Sequence, residues 1–237
     1  MAPCKAAPPD AGGAGMSGAR DMRHAPPPAR PEEEGLATLV AARICHDLVS
    51  PLGAIGNGVE LMQMACAAES AEIGLISDSV SAATARLRLF RIAFGAAQPG
   101  AVMGRAEIAA ILDGLAPAAR CLVNWRVREE LPRDEVRLAL LLLMCLESTL
   151  PHGGGITFDR WPCEPGAAGG TAGGWAIRAE AERMAPDPVL WAVARGAPLP
   201  QDLPPRHVHF ALVPGALAAL GRRLTLVEAA QMLDVRA

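Results

Sequence analysis

The feature that most constrains the fold is a regular seam of apolar residues between positions 73 and 94. Its members recur in alternating steps of three and four residues, which is the spacing of a helix that packs along another helix. They are Ile73, Ile76, Val80, Ala83, Leu87, Phe90 and Phe94. Gly95, Pro99 and Gly100 follow and end the helix. The seam therefore predicts a long helix from position 69 or 70 to Phe94.

A second long helix is predicted immediately before this one. It begins near Glu32, because the acidic run at 32–34 suits the positive end of a helix dipole, and it continues to about Ala68. The apolar residues on one side of it are Val40, Ile44, Leu48, Pro51, Leu52, Ile55, Val59 and Met62. Two long helices with a short connection form an antiparallel hairpin. Since one hairpin leaves much apolar surface open, we expect a homodimer in which two hairpins form a four-helix bundle.

Composition limits the classes of function. The chain has 237 residues, of which 51% are hydrophobic but only 3% aromatic, so its core must be aliphatic. The net charge of -3 gives no basis for bulk binding of nucleic acid. Six cysteines without a CxxC pair favour a reduced compartment. The longest apolar run, 138–146, is far shorter than the roughly 20 residues that span a bilayer. We expect a soluble cytoplasmic protein that binds neither nucleic acid nor membrane.

The chain divides into three parts by composition and pattern. Residues 1–31 are rich in Pro, Gly and Ala without apolar periodicity, which predicts a disordered tail. Residues 32–97 form the hairpin, and 103–237 carry mixed helix and strand patterns. The predicted helices are 105–120, 133–150, 188–194 and 207–220, and the predicted strands are 121–127, 155–161, 175–182, 223–228 and 232–236. The predicted fold class is therefore α plus α/β, a dimeric helical hairpin followed by an α/β sandwich domain.

His46 is the candidate functional residue of the first helix. At about 100° per residue it lies opposite the apolar side of that helix. Its neighbours on the same stripe are Ala42, Arg43, Ser50, Gly53 and Asn57. A lone helical histidine is usually an ordinary surface or core residue, but these small or polar neighbours leave room for another molecule to approach. Pro51 removes one backbone donor five residues later, so we expect the helix to bend or loosen there.

The sequence around this histidine resembles known phosphoacceptor motifs. H-D-L-V-S-P-L at 46–52 resembles the histidine box of histidine kinases. An imidazole is largely neutral at cytoplasmic pH and nucleophilic at nitrogen, and a neighbouring carboxylate such as Asp47 can orient the ring or accept its proton. The longer segment RICHDLVSPLGAIGNGVELM at 43–62 is similar to the ChpT-type bacterial histidine phosphotransferases, as is FRIAFG at 90–95. The resemblance is strongest over 36–97 and weaker towards the C-terminus.

This resemblance implies a function and a set of roles. His46 would accept a phosphoryl group from the receiver domain of a hybrid histidine kinase and pass it to the aspartate of a response regulator. Asp47, Ser50 and Pro51 match the frame of the motif in supporting roles, and Arg43 would lie near the phosphoryl group. We expect Ala42, Gly53 and Asn57 to form the receiver-docking face. The family's second domain is a degenerate histidine-kinase-like ATP-binding fold, and magnesium would come from the receiver, so no cofactor is expected.

Two other classes of function remain open. An active histidine kinase with a divergent nucleotide site would need boxes that are absent, because no asparagine occurs between 137 and 150 and no D-x-G-x-G or G-x-G-x-G loop follows. A non-catalytic scaffold that binds receiver domains is disfavoured by the intact arrangement of His46, Asp47 and Pro51. HGGG at 152–155 indicates a helix-to-strand turn. His207 and His209 have no third metal ligand at suitable spacing, so no metal site is expected.

Overall fold

The computed structural model describes residues 31–64, 70–95, 100–161 and 173–237. Nearly all of the predicted tail at 1–31 lies outside these residues. Helix α1 spans Pro31–Met64 and helix α2 spans Ser70–Ala93, and the two pack against each other as a hairpin. Both helices begin and end within a few residues of the predicted positions. α1 continues as one helix through Pro51, and a bend or loosening at that position stays a prediction.

The hairpin keeps a large part of its apolar surface open. Four large apolar residues of α1 and four of α2 are between 41% and 67% exposed: Val49, Leu52, Val59, Leu61, Ile73, Leu75, Val80 and Leu87. Among them Ile73, Val80 and Leu87 lie seven residues apart and belong to the predicted seam. The end of the same seam behaves differently, because Phe90 is buried against the second part of the chain. A single chain therefore covers only one end of the α2 seam.

Helix α1 is also long and apolar enough to cross a membrane, by length and composition, over Gly35–Met62. Core helices of soluble proteins and signal sequences meet the same criterion. The segment also contains the charged pair Arg43 and Asp47, which is costly to place in a bilayer.

The second part of the chain is an α/β domain. Its helices are α3 (Arg105–Leu115), α4 (Arg133–Thr149), α5 (Pro188–Ala194) and α6 (Val208–Ala219). Its strands are β1 (Val102–Met103), β2 (Cys121–Trp125), β3 (Leu131–Pro132), β4 (Gly154–Arg160), β5 (Trp175–Glu180), β6 (Thr225–Ala229) and β7 (Met232–Arg236). Five strands form a sheet in the order β2-β4-β5-β7-β6, with β2 and β4 parallel and the other pairs antiparallel. The predicted fold class of a helical hairpin followed by an α/β domain is confirmed.

Helix α4 lies at the centre of this domain. Residues 138–146 are all buried. They share a core with the inner face of the sheet, and helices α2 and α6 also pack against α4. A helix that is apolar on every side is stable only in such a position. The inner face of the sheet adds Ile156, Phe158, Trp175, Ile177 and Val235 to the same core.

The boundaries of the α/β elements differ from the prediction in a few places. The helix predicted at 105–120 ends at Leu115, and a 3-10 turn at Ala116–Ala118 with Pro at its start follows. The strands β1 and β3 were not predicted, because a two-residue pair has no periodicity to detect. The helix-to-strand turn predicted at 152–155 is confirmed. Gly153 has a φ of 88°, and a Cβ there would lie 2.5 Å from the carbonyl oxygen of Arg120.

Candidate histidine phosphotransfer site

His46 and Asp47 lie in the middle of α1 and face different surroundings. Consecutive residues of a helix point about 100° apart, so one can face solvent while the next faces a packed neighbour. The side chain of His46 is 78% exposed, whereas that of Asp47 is 7% exposed and turned towards α2. The imidazole is thus accessible to another macromolecule, and the carboxylate beside it is sheltered from water.

The contact between these two side chains indicates which tautomer the neutral imidazole adopts. Nδ1 of His46 lies 3.0 Å from Oδ1 of Asp47. A carboxylate can only accept a hydrogen bond, so Nδ1 must donate one and carry the proton. In the neutral ring Nε2 then holds the free lone pair. The arrangement leaves Nε2 as the nucleophilic atom of an exposed imidazole.

The second oxygen of Asp47 is held by two arginines. Nε of Arg43 lies 2.9 Å from Oδ2, and Nη2 of Arg43 lies at the same distance. Nη1 of Arg86, on α2, lies 3.5 Å from the same oxygen and forms a longer ion pair. Arg43 also donates through Nη1 to the backbone carbonyl of Arg206, in the 3-10 turn before α6. The guanidinium that we had expected near the phosphoryl group therefore contacts Asp47 and the α/β domain.

Arg86 did not appear among the residues selected from the sequence. It lies 39 residues after Asp47, outside the motif, and only the pairing of the two helices brings them together. The sequence signal that could have indicated Arg86 is the predicted hairpin. Two residues that are equally far from the connection between its helices lie opposite each other, and Asp47 and Arg86 are such a pair.

A cavity of about 280 Å³ lies behind Asp47, between the hairpin and the α/β domain. Its polar lining consists of Arg43, Asp47, Arg86, Arg120, Glu147 and Ser148. Burial raises the pKa of the Glu147 carboxyl, the charges of Arg86 and Arg43 oppose that rise, and the charge of Asp47 adds to it. The buried side of the site is therefore a mixed cluster of arginines and carboxyl groups.

The other residues predicted for the site lie on the open face of α1. Ala42, Ser50, Gly53 and Asn57 are exposed, and Pro51 is half-buried. A Cβ added at Gly53 would meet no atom within 4 Å, so the space at this position, two turns from His46, is open. Gly56 is equally open. The close helix packing that could account for a glycine at that position is therefore not present within the described part of this chain.

The described residues contain no group of three or more His, Cys, Asp or Glu side chains that could hold a metal ion. His207 and His209 lie with their ring centroids 6.3 Å apart. His209 is buried, and that burial, with the charge of Arg43 and His207 nearby, lowers its pKa well below the ordinary value. A histidine in this position is a neutral member of the core, where Nε2 lies 3.2 Å from Oγ of Ser148.

Comparisons with known proteins agree with this picture of the fold. The family model described as histidine phosphotransferase C-terminal domain matches residues 105–231, which lie in the α/β domain. The protein phosphotransferase ChpT of Brucella abortus (strain 2308) is 37% identical over 123 residues, which are 51% of this chain and 58% of that protein. The chain thus spans less than two thirds of this relative.

A solved structure extends the likeness to the hairpin. The 1.7 Å structure of a bacterial phosphotransferase superposes with a TM-score of 0.71. The match covers 88% of this chain and 98% of that one, at 24% sequence identity. At this identity the likeness shows a shared fold, which includes both the hairpin and the α/β domain.

Proposed function

The chain belongs to the histidine phosphotransferase family, and on this premise we propose that it is a phosphorelay phosphotransferase that uses His46 as its phosphoacceptor. It takes the phosphoryl group from the receiver domain of a hybrid histidine kinase and passes it to the aspartate of a response regulator. The observation that carries the proposal is the exposed imidazole whose Nδ1 is held by Asp47 and whose Nε2 is free.

The transfer step uses few groups of this chain. The lone pair of Nε2 attacks the phosphorus of an aspartyl phosphate, an N–P bond forms, and the electron pair of the breaking P–O bond returns to the carboxylate of the receiver. The proton on Nδ1 stays in place, so the ring gains a positive charge. Oδ1 of Asp47, 3.0 Å from Nδ1, stabilises that charge. Transfer to a second receiver reverses these bond changes.

The face around the imidazole supports docking of a receiver domain. In-line attack requires the two reacting atoms to approach within about 3–3.5 Å, so nothing bulky can stand between the proteins. Ala42, Ser50, Gly53 and Asn57 are exposed on that face, and the space above Gly53 is empty. Magnesium enters with the receiver in this scheme, and the chain itself needs no cofactor.

The α/β domain supports phosphotransfer in preference to ATP use. Residues 138–146 of α4 are buried and apolar and supply no polar side chain to a magnesium–triphosphate complex. We assign the domain the roles of bracing the hairpin and adding docking surface, and we place the protein in the cytoplasm, where response regulators act.

The open half of the α2 seam supports a homodimer. Ile73, Val80 and Leu87 lie on one line of α2 and are about half exposed in a single chain. The exposed residues Val49, Leu52 and Val59 give α1 a similar surface. Pairing two hairpins into a four-helix bundle would bury both sets.

The test compares His46→Ala with the unchanged chain, using phosphorylated receiver domain as donor and, separately, labelled ATP. We expect the wild type to accept label from the receiver and not from ATP, and His46→Ala to accept none. His152→Ala, a change at another exposed histidine, should behave as wild type. Label from ATP alone would support the active kinase, and no label in any arm would support the scaffold. Acceptance by His46→Ala would refute the assignment of His46.

A further inference from the structure

The carboxylate of Asp47 has its two oxygens engaged on opposite sides. Oδ1 faces Nδ1 of His46, and Oδ2 faces the guanidinium groups of Arg43 and Arg86. Arg43 precedes Asp47 by one turn of α1, whereas Arg86 reaches it from α2. The carboxylate is therefore fixed from two different helices, and its Oδ1 is left to the imidazole.

The orientation of this carboxylate matters because an exposed imidazole has two tautomers. The proton lies on the ring nitrogen that donates a hydrogen bond to a neighbouring acceptor, here the carboxylate of Asp47. If Asp47 rotated or left its position, the proton of His46 could move to Nε2, and the outward nitrogen would lose its lone pair. A cation that holds Oδ2 thus acts on the nucleophile, although it does not touch the reacting atoms.

We propose that Arg86, together with Arg43, is a positioning residue for phosphotransfer, and that it acts through Asp47 to keep the His46 proton on Nδ1. This inference rests on the proposed role of His46 and adds a residue of α2 to the site. The side chain of Arg86 is 33% exposed and that of Arg43 is 18% exposed, so both guanidiniums are partly shielded from solvent beside the cavity behind Asp47.

The contacts also assign a role to Asp47. The guanidinium groups of Arg43 and Arg86 lie at Oδ2, so Oδ1 is the oxygen that accepts the hydrogen bond from Nδ1 of His46. Phosphoryl transfer to Nε2 needs no transfer of the imidazole proton to Asp47, because the proton on Nδ1 is retained. Asp47 is accordingly an orienting acceptor, and the arginines hold it in that role.

Arg43 connects the same group to the α/β domain. Its Nη1 donates to the carbonyl oxygen of Arg206, just before α6. The order of contacts from the domain to the nucleophile is then Arg206, Arg43, Asp47 and His46. Through this chain of contacts the α/β domain helps to fix the imidazole.

The direct test is nitrogen NMR of the imidazole in the full chain, without any partner. At about pH 8 histidine is neutral, and the shifts of its two nitrogens identify the tautomer. We expect the proton on Nδ1 in the wild type and a mixture of tautomers in Arg86→Gln. Arg86→Lys should restore the wild-type signature. Arg88→Gln removes an exposed charge from the same helix and should leave the signature unchanged.

The kinetic test is a double-mutant cycle with Asp47. We expect Arg86→Gln to slow transfer from phosphorylated receiver by about fivefold, the scale of a partly exposed ion pair, while Arg88→Gln stays within about twofold of wild type. In the Asp47→Asn background Arg86→Gln should have no further effect. Thermal unfolding of each variant identifies any loss that arises from folding.

The outcomes separate this inference from the proposed function. Full transfer by His46→Ala would overturn the proposed function, and the NMR result would still report whether Arg86 sets the tautomer. If His46→Ala is inactive but Arg86→Gln keeps the wild-type tautomer, only the positioning role is wrong. An additive loss of rate in the double variant would also overturn it, because Arg86 would then act without Asp47.

Discussion

Two carboxylates among the residues that the structure describes are each held between two arginines, and they face different surroundings. Asp47 in the hairpin contacts Arg43 and Arg86, whose side chains are 18% and 33% exposed, and its remaining oxygen faces an open histidine. Glu135 at the start of α4 contacts Arg160 and Arg222, which are 15% and 12% exposed. Each cluster consists of one carboxylate and two arginines. The clusters differ in whether an oxygen of the carboxylate is left for a group other than the arginines.

Both carboxylate oxygens of Glu135 are bound by arginines of the α/β domain. Arg222 binds both of its oxygens, at 2.5 and 2.8 Å, and Arg160 binds Oε2 at 2.8 Å. Arg160 also lies over the ring of Trp175, 5.0 Å from its centroid. Every group of this cluster is therefore engaged inside the domain. The comparison teaches that a cluster enclosed on all sides stabilises the fold, whereas a cluster with one open side can take the role proposed for Asp47, which is to orient the imidazole of His46.

The largest expected effect comes from removing the carboxylate of the closed cluster. Glu135→Ala leaves Arg160 and Arg222 without their shared anion in a buried place, which costs about 3–5 kcal/mol of the free energy of unfolding. Asp47→Asn should cost less, about 1 kcal/mol, because the contact of Asp47 with Arg86 is long, at 3.5 Å, and the side chain of Arg86 is 33% exposed. Urea denaturation of both variants measures the difference. Equal losses in the two variants would contradict the distinction between the clusters.

The second prediction concerns the exposed apolar line of the hairpin. Leu87→Asp places a charge on the line of Ile73 and Val80, and burying that charge in a bundle should weaken the proposed dimer by at least ~30-fold. Sedimentation at several concentrations measures the association. Leu75→Asp is the matched control, since Leu75 is similarly exposed but lies on another side of α2. A wild type that is monomeric at all concentrations would contradict the homodimer.

The two clusters also show where sequence reasoning succeeds and where it fails. His46 and its open neighbours could be selected because the motif and the helical stripe are local in sequence. The buried run at 138–146 similarly identified α4, since apolar residues on every side of a helix require a core position. Arg86 and the partners of Glu135 could not be found in this way. They approach their carboxylates from 39, 25 and 87 residues away, and only the completed packing brings them there.

The third prediction concerns pH and the place where the two regions meet. Burial, then the charges of Arg43 and His207, lower the pKa of His209 well below its ordinary value near 6.5. As the pH falls through about 6.5, the unfolded chain therefore binds a proton at His209 that the folded chain does not bind. Above about pH 6.5 the free energy of unfolding carries no penalty from His209. It falls as the pH is lowered towards the pKa of His209 in the folded chain, by at most about 1.4 kcal/mol per pH unit.

Denaturation of wild type and His209→Gln between about pH 8 and pH 5 tests this sign. The variant loses stability at pH 8 because it disturbs the packing, and that loss should shrink as the pH falls, since glutamine does not titrate. A difference in stability between the two chains that stays constant with pH, or grows as the pH falls, would show that His209 does not couple protonation to folding.

The smallest expected effect concerns the open face itself, through two glycines of α1. Gly53 and Gly35 are both exposed, and an added Cβ at either position would meet no atom within 4 Å. Replacing either by leucine removes a poor helix former and should raise helix stability by a similar amount, up to about 1 kcal/mol.

At a rise of 1.5 Å per residue, Gly53 lies about 10 Å from His46 along the helix and Gly35 about 16 Å. Gly53→Leu should therefore weaken receiver binding about threefold to tenfold by holding the partner off the imidazole, while Gly35→Leu leaves it unchanged. Titration calorimetry with the receiver measures both affinities, and transfer at saturating receiver should stay near the wild-type rate. Equal affinities for the two variants would mean that the receiver does not dock over Gly53 and approaches His46 from another side of the helix.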